Sequence, residues 1–133
     1  MKTSHEDQLK RSLERYGEAL SAGDLSGISG CWEIPALVLS DGGTIPVSSR
    51  DEIEGFFAQA IEFYRAQGLV MTRPQLEGTV RLSETLTSVD VRWVAFDQSG
   101  REASSERSHY ILRLGDDGQQ RIQVALTITL QSG

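Results

Sequence analysis

Residues 15–25 of this chain read RYGEALSAGDL, and Ile28 and Trp32 follow shortly after. Gly23 can adopt the left-handed conformation that ends a helix, and Asp24 can cap the next one. The segment predicts a first helix over about residues 5–22, a glycine break, and a second helix that ends at Pro35. The apolar face of the first helix carries Leu9, Leu13, Tyr16 and Leu20, and that of the second carries Leu25, Ile28 and Trp32.

The composition narrows the class of protein. A length of 133 residues predicts a single domain over residues 1–133. One cysteine, Cys31, cannot form an internal disulfide, and the chain shows neither a secretory leader nor a long apolar run, so we expect a cytoplasmic protein without a membrane partner. The net charge of −6 disfavours nucleic acid as a partner.

The rest of the chain alternates between strand and helix signals. Residues 36–39 and 44–47 flank an Asp-Gly turn, which indicates a tight hairpin. A capping box over residues 49–52 begins a third helix that runs to Gly68. Four strands are predicted at roughly residues 76–83, 86–97, 101–114 and 119–130. In the last strand, one face is expected to lie on the helices, through Ile122, Val124, Leu126, Ile128 and Leu130.

These elements predict an α+β fold. Three N-terminal helices would pack on a curved antiparallel or mixed sheet and form a cone with an internal pocket. Another two-layer α+β meander is the alternative.

Several motifs resemble the nuclear transport factor 2-like superfamily, which includes the steroid delta-isomerases and the SnoaL-like polyketide cyclases. They are Arg15-Tyr16, Ala19-Leu20, Ala22-Gly23-Asp24-Leu25, Ile28, Trp32, Ile53, Phe56, the Gly100-Arg101 turn and Ser108-His109-Tyr110. The resemblance spans most of the chain and implies a single SnoaL-like domain.

The isomerase pattern of that superfamily implies roles for particular residues. Tyr16 would donate a hydrogen bond from the first helix to a substrate carbonyl oxygen. Counted forward from Tyr16, the position of the general base falls on Ser40, with a carboxylate one residue later at Asp41. Ser108 stands where the second acidic donor would be. Because a positioned general base contributes about 10²–10⁴ in rate, a serine in its place argues against steroid isomerisation.

The strand over residues 86–97 has two faces that both contain apolar residues. Asp90 and Arg92 share one face with Val94 and Phe96, and the other is formed by Val89, Val91, Trp93 and Ala95. If Asp90 and Arg92 face outward, they are rim charges and Trp93 belongs to the core. We expect instead that the Arg92 face lines the pocket because the resemblance places Val94 and Phe96 there. Asp90 and Arg92 would then form a charged pair in the pocket, with Arg92 suited to a bidentate contact. His109 is predicted to be a surface or interface histidine.

Three functions remain open at this stage. The first is a binding protein for an apolar or polyketide- or steroid-like small molecule. The second is a cofactor-independent isomerase, cyclase or lyase acting on an enolisable ketone, with Tyr16 as donor and Asp41 or Asp90 as base. The third is a dimeric scaffold without a ligand. The candidate ligand-binding residues are Tyr16, Trp32, Ser40, Phe56, Arg92, Phe96, Ser108 and Tyr110.

Cofactors and partners follow from the same residues. The two histidines and one cysteine lack metal-ligand spacing, so we expect no metal site and no cofactor. We expect a homodimer through the outer face of the sheet because that face is predicted to carry few charges. The residues assigned to it are His109, Ile111, Ala125, Thr127 and Thr129.

Overall fold

The helices and strands follow the predicted order. A computed structural model describes residues 4–128 of the chain. Its elements are α1 His5–Ala22, α2 Leu25–Gly30, β1 Trp32–Ser40, β2 Gly43–Val47, α3 Arg50–Ala66, β3 Leu69–Arg81, β4 Leu86–Asp97, β5 Glu102–Leu114 and β6 Gln120–Ile128. The expectations for Thr129 and Leu130, and for the side chains of Thr127 and Ile128, lie outside what the structure describes. Within the described residues, no helix is long and apolar enough to cross a membrane.

The helix boundaries follow from local capping chemistry. Ser4 Oγ accepts a hydrogen bond from the N–H of Asp7 at the start of α1. Gly23 ends that helix with a φ of 69°, a conformation that costs glycine little. The Asp24 carboxylate then accepts from the N–H of Gly27 to begin α2, and Ser49 Oγ does the same for Glu52 at α3. These predicted helix starts are confirmed.

The six strands form one curved, unclosed sheet in the order β2-β1-β6-β5-β4-β3. The β1–β6 pair is parallel and the other pairs are antiparallel, so the sheet is mixed. The helices contribute Leu9, Tyr16, Ile28 and Ile53 to a core shared with the inner sheet face. The predicted α+β arrangement of helices on a curved sheet is confirmed.

The second helix is shorter than predicted. It ends at Gly30, and Trp32 is the first residue of β1 rather than part of the helix. The carbonyl of Cys31 accepts a hydrogen bond from the N–H of Ile122 at 2.8 Å, and Trp32 pairs with Ile122. Parallel pairing with a strand that is remote in sequence therefore ends the helix before Pro35.

Strand β3 begins at Leu69, well before the predicted start at residue 76. Pro74 lies inside it, which is compatible with its position at the edge of the sheet, where one side has no ladder partner. The N–H of Thr72 donates to Ser21 Oγ of α1 at 3.0 Å. The helix thus provides a partner for the exposed edge of the strand and extends it.

The predicted alternation of β6 holds for Ile122, which lies in the core, but fails at Val124 and Ala125 because the strand contains a bulge. Ile111 pairs with Val124, whereas the next residue of β5, Leu112, pairs with Ile122, which leaves Gln123 as the extra residue. Ile122 and Ala125 are both buried in the core, although side chains three positions apart lie on opposite faces of a regular strand. Val124 lies opposite Ile111 on the outer face, and Ala125 belongs to the inner face rather than to the predicted dimer surface.

Candidate ligand-binding cavity

A cavity of about 390 Å³ opens between α1, α3 and the inner face of the sheet. Its lining is mainly apolar, with side chains from both layers of the fold. The aromatic members are Tyr16, Trp32, Phe56, Phe57, Tyr64, Trp93 and Tyr110. Such a volume with aromatic walls and a few polar groups is typical of a small-molecule site.

Tyr16 projects from α1 to the inner end of the cavity and is only 3% exposed. Its hydroxyl oxygen accepts a hydrogen bond from Trp32 Nε1 at 3.3 Å. Burial raises the pKa of the Tyr16 phenol well above its ordinary value, so the phenol keeps its proton at neutral pH. Because the oxygen already accepts from Trp32, the O–H is available to donate to a second group.

Tyr110 on β5 repeats this arrangement on the sheet. Trp93 Nε1 of β4 donates to the Tyr110 hydroxyl at 2.8 Å, and both side chains are buried. Burial also raises the pKa of Tyr110. The rings of Tyr16 and Tyr110 meet edge to face, with their centroids 6.4 Å apart. The cavity therefore contains two neutral phenols, each held by an indole N–H.

The mouth of the cavity lies between α3 and β5. Phe56 is 65% exposed there, and its ring packs edge-on against Phe57 at a centroid distance of 5.1 Å. The Tyr64 hydroxyl lies 3.3 Å from both carboxylate oxygens of Glu106. Partial burial and the adjacent Glu106 charge raise the pKa of Tyr64 to about 12. The hydroxyl thus donates to the carboxylate and stays protonated.

Five of the predicted site residues meet in this cavity: Tyr16, Trp32, Phe56, Ser108 and Tyr110. Sequence reasoning missed Trp93, Phe57, Tyr64 and Glu106 as lining residues. Glu106 could have been predicted as a lining residue, because it precedes Ser108 by two residues in a strand and side chains at that spacing share a face.

The expectation for strand β4 is wrong. Trp93 and Ala95 line the cavity, so Asp90, Arg92 and Phe96 lie on the outer face. Arg92 pairs with Glu102 at 3.6 Å, and the Arg73 guanidinium lies over the Phe96 ring. The uncharged face of the strand is the one buried against α1, because burying Asp90 and Arg92 there would cost solvation free energy.

Ser40 and Asp41 also lie away from the cavity. Both are exposed at the tip of the β1–β2 hairpin, where Ser40 Oγ accepts a hydrogen bond from the N–H of Gly42. Ser40 is the position of the general base when residues are counted from Tyr16 without a gap, but β1 carries the chain out to the hairpin tip at this point. Neither residue is positioned to act with Tyr16.

A second polar cluster occupies the outer face of the sheet. The His109 ring lies between Ser88 and Asp90, with Nε2 2.7 Å from Ser88 Oγ and Nδ1 2.6 Å from Asp90 Oδ1. The order of groups matches a Ser-His-Asp triad. Both edges of β4 are paired, so its backbone N–H groups are engaged in the ladders and do not offer an oxyanion hole. The cluster joins β4 and β5 on the outer face of the sheet.

Comparisons with known proteins agree with this architecture. The family described as NTF2-like protein (DUF6841) matches residues 6–129. No curated protein sequence matches the chain.

Among solved structures, a cystatin-like domain of unknown function from Nostoc punctiforme PCC 73102 has 19% identity and a TM-score of 0.74, over 99% of this chain and 82% of that one. An NTF-2 like protein of unknown function from Shewanella oneidensis MR-1 has 16% identity and a TM-score of 0.70, over 93% and 98%. A ketosteroid isomerase-like protein from Erwinia carotovora atroseptica SCRI1043 has 12% identity and a TM-score of 0.65, over 96% and 100%. By its family match and its fold, this chain belongs to the NTF2-like proteins.

Proposed function

We propose that this protein binds an apolar small molecule carrying a carbonyl or hydroxyl oxygen, in the cavity between α1, α3 and the inner sheet face. The observation that carries the proposal is the pair of buried phenols, Tyr16 and Tyr110, each accepting from an indole N–H. Each phenol can donate its own proton to a ligand oxygen. A cytoplasmic location is part of the proposal and fits a chain with a single cysteine.

The cavity walls support a ligand with an apolar body. The aromatic rings are mutually packed, with Tyr16 5.7 Å from Trp93 and 6.2 Å from Phe57 between centroids. A ligand that enters removes its own apolar surface from water, at roughly 25 cal/mol per Å². The two phenols then select its orientation, since an unpaired ligand oxygen buried among the rings would be penalised.

Tryptophan fluorescence provides a direct test. The chain has two tryptophans, Trp32 and Trp93, and both line the cavity. Cyclododecanone is a suitable probe because it is apolar, carries one carbonyl and does not absorb strongly where indole emits. We expect a saturable change in emission on titration. An emission spectrum that stays constant up to the solubility limit of the ketone would contradict the proposal.

Two variants distinguish the cavity from the surface. Ala125 is 7% exposed and lines the cavity, so Ala125→Leu adds bulk inside it and should weaken ketone binding about tenfold. Ala103→Leu adds the same bulk at an exposed position of β5 and is the matched control. Equal affinities for the two variants would exclude this cavity as the site.

Catalysis on an enolisable ketone is the second candidate function. The carboxylates that line the cavity in the described part of the chain are Glu52 and Glu106. Glu52 Oε2 accepts from the N–H of Ser48 at the start of α3, whereas Glu106 contacts the Tyr64 hydroxyl at the cavity mouth. Glu106 would serve as base while Tyr16 or Tyr110 stabilises the developing enolate oxygen.

Deuterium exchange tests this candidate without knowledge of the natural product. Protein in D₂O should accelerate exchange of the protons next to the carbonyl of cyclododecanone, followed by NMR. Glu106→Gln should lower the rate about 100-fold or more. An exchange rate equal to that of buffer alone would leave binding as the proposed function.

We also propose that the protein forms a homodimer through the outer sheet face. One register row crosses five strands there and is mostly apolar: Val80, Ser88, Ile111, Val124 and Leu37. Val80 and Leu37 are 59% and 40% exposed. The face also carries the Arg92–Glu102 and His109–Asp90 pairs, so it is more charged than the sequence indicated.

Sedimentation velocity tests the dimer. We expect the parent protein to sediment as a dimer at micromolar concentration, and Ile111→Glu to shift it to monomer by placing a charge in the apolar row. Gln59→Glu, at an exposed position on α3, adds the same charge elsewhere. A parent protein that is monomeric throughout would refute the dimer.

A further inference from the structure

The charge of Glu106 indicates a more specific class of ligand for the cavity. Among the described residues, no Arg, Lys or His forms an ion pair with Glu106. Its neighbours on β5 differ in this respect, since Glu102 pairs with Arg92 and Arg107 pairs with Glu77. Those two pairs involve residues whose side chains do not line the cavity, whereas the Glu106 carboxylate does.

The arginine that lines the cavity mouth is engaged elsewhere. This residue, Arg65, donates from Nη2 to the carbonyl of Ala22 at the end of α1. Its guanidinium also lies close to Gly23, where a Cβ added to the glycine would come within 2.6 Å of Nη2. Arg65 therefore neutralises the carboxyl end of α1 rather than Glu106.

One aromatic ring lies beside the position that a ligand charge would occupy. It is that of Tyr64, whose hydroxyl contacts Glu106 and which lines the cavity. The Glu106 charge also raises the pKa of Tyr110 deeper in the cavity, after the larger effect of burial. The charge at the mouth thus acts on Tyr110 as well as on Tyr64.

We propose that the preferred ligand is an amphipathic amine, with its apolar body and its oxygen among the cavity aromatics and inner phenols, and its ammonium group at the mouth between the Glu106 carboxylate and the ring of Tyr64. A carboxylate contributes an ion pair, and an aromatic face contributes a cation–π contact. This inference rests on the proposed binding function, because it assigns the ligand class of the same cavity.

A matched set of ring compounds tests the inference. Cyclododecylamine and cyclododecanol share one apolar body and differ in charge, because a primary alkylamine with a pKa of about 10.4 is protonated at neutral pH. We expect the amine to bind at least about fivefold more tightly than the alcohol, in titrations followed by tryptophan fluorescence. Salt should reduce this ratio.

The variants assign the effect to one carboxylate. Glu106→Gln should lower the ratio of amine to alcohol affinity to the part that the ring of Tyr64 contributes. Glu14→Gln removes the same charge from an exposed position on α1 outside the cavity and should keep the parent ratio. This control distinguishes the effect of the Glu106 carboxylate on amine binding from the attraction of any ammonium group to a chain with net charge −6.

The outcomes separate this inference from the proposal on which it rests. If the alcohol binds and the amine binds no more tightly, the amine inference is overturned while the binding function stands. A ratio that persists in Glu106→Gln also overturns it. If neither compound nor cyclododecanone binds, the proposed binding function itself fails.

Discussion

Removing single hydroxyl groups tests whether the two buried phenols are structural acceptors as well as ligand donors. Tyr16→Phe leaves Trp32 Nε1–H without its partner in a site where Trp32 is 6% exposed. A buried donor left unpaired costs about 1–3 kcal/mol. Tyr110→Phe has the same consequence for Trp93, which is 8% exposed.

Tyr64→Phe is the matched control. It also removes one phenolic hydroxyl, but Tyr64 is 37% exposed, and water can replace it as the partner of Glu106. We expect this change to alter the free energy of unfolding by about 0.5 kcal/mol or less. All three substitutions delete a phenolic oxygen, so differences between their effects on the free energy of unfolding report the environment of each hydroxyl.

Urea unfolding followed by circular dichroism measures the change in the free energy of unfolding for each of the three variants. We expect Tyr16→Phe and Tyr110→Phe to lower the free energy of unfolding by about 1–3 kcal/mol. Adding Trp32→Phe to Tyr16→Phe should cost less than the sum of the two single changes, because the unpaired donor is then gone. Equal, small losses for all three tyrosine variants would refute the reasoning, since the indole groups would then have another acceptor.

Other substitutions and a pH titration test the buried groups and the helix end. All three tyrosines of the chain have a raised pKa, mainly through burial, so the stability they contribute is present below about pH 10 and is lost as the pH rises above it, for Tyr64 through a pKa of about 12. An alkaline absorbance titration that shows a phenolate step near pH 10 in the folded protein would contradict this. Gly23→Ala places a side chain on a residue whose φ is 69° and should lower the free energy of unfolding in urea by about 1–2 kcal/mol. Gly42 does not have a positive φ, so Gly42→Ala is the control and should change the free energy of unfolding by about 0.5 kcal/mol or less. Gln120 is 4% exposed, and its side-chain amide has no hydrogen-bond partner among the described residues. Gln120→Met should therefore raise the midpoint temperature of thermal unfolding. A lower midpoint would show that the amide is hydrogen-bonded.

Features encoded by neighbouring residues could be predicted from the sequence. The end of α1 at Gly23 and the start of α2 at Asp24 depend on one glycine conformation and one capping carboxylate, both of which are local. Tyr16 could be assigned to the inner face of α1 because helical periodicity places it with Leu9 and Leu13. The position of the cavity could therefore be predicted from the sequence.

Features set by distant partners could not be predicted in this way. The bulge at Gln123 exists because β5 and β6 shift register, and it moves Ala125 from the outer face to the cavity. Trp32 joins a strand because it pairs with Ile122, which is remote in sequence. For β4, both faces contain apolar residues, so hydrophobicity alone does not identify the inner face. The face of Trp93 carries no charge, which indicated that it is the buried one, but the family resemblance favoured the opposite face.

A crystal structure of the protein with cyclododecanone would test the central claim most directly. We predict density for the ring between α1, α3 and the inner sheet face, with the ketone oxygen at about 2.7 Å from the hydroxyl of Tyr16 or Tyr110. Density for the ketone only on the outer face of the sheet, or a cavity occupied by water at a saturating concentration of the ketone, would contradict the claim.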